Sequence, residues 1–85
     1  MREERIGVIS HYYTHLGVAT MVVEGELKVG DTIHIRGHAS DFTQKVESIQ
    51  IEHENIDLAK KGDNIGIKVK EHAREHDVVY KVVEE

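Results

Sequence analysis

Three features of this 85-residue sequence predict an all-β fold, specifically a small closed antiparallel β-barrel of six to seven strands. Valine and isoleucine together number 20 against 3 leucines, and stiff β-branched side chains favour pleated strands over helices. Short stretches of alternating apolar and polar residues recur at regular intervals, as barrels require. Gly-Asp pairs at Gly30-Asp31 and Gly62-Asp63 mark tight reversals between them. Closure would also remove the exposed strand edges that invite aggregation.

The first strand is expected over Ile6 to Tyr12, with Ile6 and Val8 on one face. Gly17 permits a turn or bulge. Val18 to Val23 reads as a central strand, because Val18, Thr20 and Val22 lie on one face and Ala19, Met21 and Val23 on the other. After a turn at Glu24-Gly25-Glu26, Leu27 and Val29 are expected to be buried, and Thr32 to Arg36 resumes the alternation through Ile33 and Ile35. Gly37 to Asp41 reads as a polar loop. The next strand carries Val46 on one phase and Ile49 and Ile51 on the other, which a β-bulge near Glu47-Ser48 would reconcile. His53 to Lys61 tempts a helix, but its shortness and the Gly62-Asp63 stop favour a loop with Ile56 and Leu58 tucked in as a plug. Ile65, Ile67 and Val69 form one face of a further strand, and Val78, Tyr80 and Val82 one face of the last.

The length allows one domain, residues 1–85, with a small core that must be packed efficiently. No stretch approaches the roughly 20 apolar residues of a membrane helix, and Arg2-Glu3-Glu4-Arg5 lacks the apolar run of a signal peptide. Zero Cys removes disulfides, thiolate metal sites and cysteine nucleophiles, and fits a reducing, cytoplasmic compartment. The net charge of −5 argues against nonspecific polyanion binding while leaving room for a local basic face.

The Gly-Asp pairs are structural turns: glycine takes positive φ, and aspartate caps the turn with its side chain. Neither is a phosphate cradle. The chain contains no G-x-x-x-x-G-K-[ST] and no G-x-G-x-x-G, so no nucleotide site is expected. The histidine pairs His11/His15, His34/His38 and His72/His76 are each spaced by four. In a strand that spacing separates imidazoles by about 13 Å, too far for a shared ion. Only His72 to His76 as a helical turn, joined by Glu71 or Glu75, could supply several ligands, and no metal or other cofactor is expected. Ser10, Ser40 and Ser48 lack a nucleophile-elbow context and the carboxylates single out no acid–base pair, so no catalytic residues are assigned. The polar-aromatic cluster His11-Tyr12-Tyr13-Thr14-His15 has two readings. Tyr12, Tyr13 and His15 could stack on RNA bases with Lys60 and Lys61 beside them. Otherwise one tyrosine packs in the barrel mouth and the other lies on its rim. A wider basic stripe of Lys28, Lys45, Lys68 and Lys70 is interleaved with carboxylates.

Leu27-Lys28-Val29-Gly30-Asp31-Thr32-Ile33-His34-Ile35 is echoed about thirty residues later by Ala59-Lys60-Lys61-Gly62-Asp63-Asn64-Ile65-Gly66-Ile67. Together they resemble the "G-x-L-K-V-G-D-x-V-x-I" and "A-x-x-G-D-N-V-G-I" phrases of domain 2 of the translation GTPases, such as elongation factor Tu. Gly17 to Gly25 looks like the family's "G-T-V-V-x-G-x-V-x-x-G" strand. Asp77 to Val82 looks like its closing "D-V-x-x-G-x-V" without the glycine. The resemblance runs from Ile6 to about Val83 and omits the GTPase domain entirely. It implies an elongation factor Tu domain 2-like barrel, a translation-protein setting and contact with tRNA or ribosomal RNA. It also implies a relation to the similar-looking barrel appended to some collagenase-like peptidases involved in RNA modification.

Met1 and a finish just after the last strand read as an independent gene product that acts through a partner. The first functional reading is a noncatalytic binding module contacting structured RNA or an RNA-acting protein, such as an RNA-modifying or translation enzyme. The rival is a protein–protein adaptor without RNA contact, and a small metal-binding or catalytic protein is third.

Overall fold

The computed structural model describes residues 2–83. Among these residues there are ten strand segments and no helix: β1 (Arg2–Tyr13), β2 (Val18–Val22), β3 (Leu27–Lys28), β4 (Thr32–Arg36), β5 (Asp41–Lys45), β6 (Ile49–Ile51), β7 (Glu54–Ile56), β8 (Leu58–Ala59), β9 (Asn64–Lys68) and β10 (Val78–Val83). Eight of them form one antiparallel sheet in the order β5-β4-β10-β1-β2-β9-β6-β7, and β3 pairs with β8 in a separate ladder. The all-β antiparallel class is as expected. The count exceeds six or seven because bends divide the chain into short segments, and the main sheet ends at β5 and β7 rather than running as a closed ring.

β1 serves both halves of the sheet. Its residues 2–8 pair with β10 and residues 9–13 with β2, with register shifts between Arg5 and Gly7 and between Ile9 and His11. Each shift adds twist and bend, and together they break the simple alternation: Ile6 and Ile9 are buried while Val8 is half-buried. The predicted pairing of Ile6 with Val8 on one face therefore fails. β2 does lie between β1 and β9, and Ala19, Met21 and Val23 face the core. On β4, Ile33 and Ile35 are fully buried, as are Ile65 and Ile67 on β9, with Val69 following. At roughly 1.5–3 kcal/mol for each fully buried aliphatic side chain, this shared inner face is the main stabilising term.

The segment 46–48 is not a bulged strand. Val46 ends its pairing at the Gly30-Asp31 turn, where its N–H donates to the Asp31 carbonyl at 2.8 Å and its carbonyl accepts from Gly30 at 2.9 Å. The chain then crosses to β6, which pairs with β9 and β7. Val46 and Ile49 are both buried because they belong to opposite ends of the sheet, which period-2 reasoning cannot see. The 53–61 stretch forms β7, a turn and β8. Ile56 packs against the core, but Leu58 is exposed, as is Val29; both had been expected inside. On β10 the face of Val78, Tyr80 and Val82 is half-buried, and Val79 is the core residue.

Candidate binding groove

Two of the sequence-predicted turns are built as expected, and a third repeats them. Gly30 and Gly62 have φ of 97° and 94°, the left-handed region that glycine enters freely. The Asp31 and Asp63 carboxylates accept the N–H groups of Lys28 and Lys60, each at 2.9 Å. In the third turn Asp77 accepts from the Arg74 N–H at 2.9 Å, and His76 holds the positive-φ position at 73°. Backbone bonds from Asp31 to Lys28, Asp63 to Lys60 and Asp77 to Arg74 complete the set. The shared signature is a basic residue followed three positions later by aspartate. The third copy lacks the glycine that marks the other two in the sequence. This turn also means that His72 to His76 forms no helix, so a helical turn does not bring His72, His76 and Glu71 or Glu75 together. Among the described residues no group of three or more His, Cys, Asp or Glu side chains is placed to hold an ion.

An open groove of about 600 Å³ crosses the outer face of β2, β9 and β6, within the usual size range of ligand sites. Gly66 on β9 forms its floor, flanked by Thr20 on β2 and Gln50 on β6 through the strand register. Any side chain at 66 would rise into this space, and its Cβ would lie only 3.2 Å from Val18 Cγ1. Tyr13, Leu16 and Val18 close one end, Gly62 to Asn64 the other, and the β6–β7 hairpin forms a lip with Glu52 and His53. Gln50 is held by its bond to Asn55, 3.1 Å. A second hollow of about 330 Å³ continues the groove past Leu16, His53 and Lys68.

The structure divides the aromatic cluster. Tyr13 is 46% exposed at the groove end, with its ring 4.4 Å from His11. Tyr12 packs against the core, its ring 4.6 Å from that of His72. His15 is exposed in the β1–β2 turn, and Lys60 and Lys61 are exposed on the turn whose Gly62 borders the groove. Tyr13 and the Lys60-Lys61 turn thus frame one surface, and Tyr12 does not share it.

Sequence reasoning missed a cluster on the other half of the sheet. His34 on β4 sits between two carboxylates, with Nδ1 2.8 Å from Glu3 Oε2 and Nε2 2.5 Å from Asp41 Oδ1. With an anion at each nitrogen the doubly protonated ring is favoured. The Asp41 hydrogen bond, with help from Glu3, raises the His34 pKa above 6.5 against a smaller opposing effect of burial. The same bond lowers that of Asp41. Glu3 reaches His34 across β10, a neighbour relation set only by register.

The family model for Elongation factor Tu domain 2 matches residues 18–79. The chain belongs to this family. Its solved relatives include the C-terminal domain of a Geobacillus thermoleovorans protein described as a U32 peptidase, with a TM-score of 0.87, 25% identity, and 94% of this chain and 93% of that one covered. The chain is also 38% identical over 80 residues to an uncharacterized protease of Methanocaldococcus jannaschii, covering 93% of this chain and 20% of that protein. It is 43% identical over 72 residues to a collagenase of Porphyromonas gingivalis, covering 82% of this chain and 20% of the collagenase. The chain therefore spans about a fifth of the length of these curated relatives. The likeness to the C-terminal domain of the U32 peptidase extends over nearly all of this chain.

Proposed function

We propose that this chain is a noncatalytic docking module of the elongation factor Tu domain 2 family that works with a U32 peptidase-type protein, its outer groove receiving a protein segment. The observation that carries this reading is the lining of the groove. It has an apolar end at Tyr13, Leu16 and Val18, and among the described residues it is lined by the carboxyl-bearing Glu52 and Asp63 and by His53, with no lysine or arginine. Two carboxylates with no lysine or arginine repel a phosphate backbone and suit a polypeptide. A noncatalytic role is supported by the serines. Ser10 Oγ is engaged with Thr20 at 2.8 Å, and Ser40 Oγ is buried and donates to the His72 carbonyl. The same reading takes residues 1–85 as one module, its sheet wrapped into a functional barrel, in the cytoplasm, without nucleotide or metal; the lack of cysteine supports that compartment.

A second reading, contact with tRNA or ribosomal RNA, is favoured by one arrangement: exposed Tyr13 and the Lys60-Lys61 turn lie at opposite ends of the same groove. Amide chemical-shift titration of the labelled chain separates the two. Titration with the full-length Methanocaldococcus relative should shift or broaden Tyr13, Leu16 and Gly66 and survive nuclease treatment. Shifts at Tyr13, Lys60 and Lys61 with total tRNA that fade at higher salt would instead establish the RNA reading.

A further inference from the structure

We infer that the groove over β2, β9 and β6 holds an extended polypeptide segment that places a lysine or arginine between Glu52 and Asp63 and lays an apolar side chain against Tyr13 and Leu16. This rests on the docking reading and specifies its ligand.

Shape supplies the first argument. The floor is level because Gly66 contributes no side chain between Thr20 and Gln50. The trough follows β2, whose five residues span about 17 Å, room for roughly five residues of extended chain. Charge supplies the second. Lys68 borders only the smaller hollow, so the main groove is lined by the acidic residues Glu52 and Asp63 with His53 and by no lysine or arginine. Asp63 is held in place by its bond to the Lys60 N–H and Glu52 stands on the lip, so a cation between them is favoured and an anion is not.

The hairpin lip is the third. Glu52 and His53 are the two loop residues between β6 and β7, since Ile51 pairs with Glu54. Both have positive φ, 50° and 69°. Such two-residue loops are ordinarily Asn-Gly or Gly-Gly, which present little side chain. Here two non-glycine residues take left-handed φ at the edge of the groove, and strain of this kind clusters at ligand-binding positions. The exposed apolar surface of Tyr13, at 46%, and Leu16, at 65%, completes the site at its far end.

The test is amide chemical-shift titration of the labelled chain with the pentapeptide acetyl-Thr-Val-Arg-Leu-Thr-amide, with its Arg-to-Glu counterpart, and with oligouridylate. The arginine peptide should produce saturable shifts at Thr20, Gln50, Glu52 and Gly66. The glutamate peptide should bind at least about fivefold more weakly, and Glu52→Gln should remove about that much from the arginine peptide. Leu16→Ser, at an exposed turn, should weaken both peptides and leave the rest of the spectrum in place. Groove shifts of equal affinity for the two peptides, insensitive to Glu52→Gln, would overturn the cation assignment while leaving the docking reading standing. Groove shifts with oligouridylate and none with either peptide would overturn both.

Discussion

The side-chain amide of Gln44 substitutes for a peptide group against Lys70. Gln44 Oε1 accepts the Lys70 N–H at 2.7 Å while its Nε2 donates to the Lys68 carbonyl at 2.9 Å. β5 is a sheet edge, and this buried amide ties it to the chain leaving β9, a strand distant in the sheet order but adjacent in space. Gln44→Leu keeps the volume but strands both backbone groups, at a cost of about 1–3 kcal/mol. Thermal unfolding should show Tm lowered by about 4–8 °C for each kcal/mol lost. An unchanged Tm would mean that water replaces the amide.

His76 occupies the turn position that Gly30 and Gly62 fill elsewhere. Left-handed φ costs an L-residue about 1–2 kcal/mol, and glycine returns about 0.5–1 kcal/mol of that as chain entropy. His76→Gly should therefore raise the urea midpoint, corresponding to about 0.5–1 kcal/mol, while Gly62→Ala should lower it. A fall in both would show that the His76 side chain contributes more than its backbone strain removes.

The His34 cluster makes stability depend on pH in two directions. His34 has a raised pKa, so its contribution is fully present below its ordinary value of 6.5 and is lost as pH rises through the higher folded value. Asp41 has a lowered pKa, so its contribution is present above 3.8 and is lost as pH falls through the folded value. Urea unfolding across pH should show a maximum between those limits. His34→Gln should flatten the alkaline limb, and a wild-type limb of the same shape would place the titration elsewhere.

Tyr12 and Tyr13 should respond oppositely to truncation. Tyr12→Ala removes a ring packed on the core and should cost about 1–2 kcal/mol, whereas Tyr13→Ala should stay within about 0.5 kcal/mol. Tyr13→Ala should also weaken whatever binds the groove. Chemical denaturation of the two single variants provides the comparison.

Ile33→Asp or Ile67→Asp places an unpaired carboxylate where 0% and 1% of the residue is exposed. The penalty of several kcal/mol is comparable to a typical total stability of ~5–15 kcal/mol. Collapse of amide dispersion at neutral pH is expected, and a dispersed spectrum would show that the inner face admits water.

The readable parts of the chain were those whose cause is local. Ile33 and Ile35, and Ile65 and Ile67, alternate within single strands, so their faces followed from period 2. Gly30-Asp31 and Gly62-Asp63 carry their turn chemistry in adjacent residues. The third turn was legible in principle from Arg74 and Asp77, but His76 bears a backbone conformation that its side chain does not advertise. The phases of Ile6, Val8, Val46 and Ile49 misled because register shifts and a crossover act between strands, not along them.

By itself, then, the sequence determined an all-β chain of the elongation factor Tu domain 2 kind, because β-branched content, alternation and turn residues are properties of short segments. Only the tertiary structure decided which residues meet. Gln44 with Lys70, Glu3 with His34, and Tyr13 with Glu52 and Gly66 at one groove are pairings across strands distant in sequence. They depend on strand order and register, and a shift of one residue in a strand would turn its side chains to the opposite face.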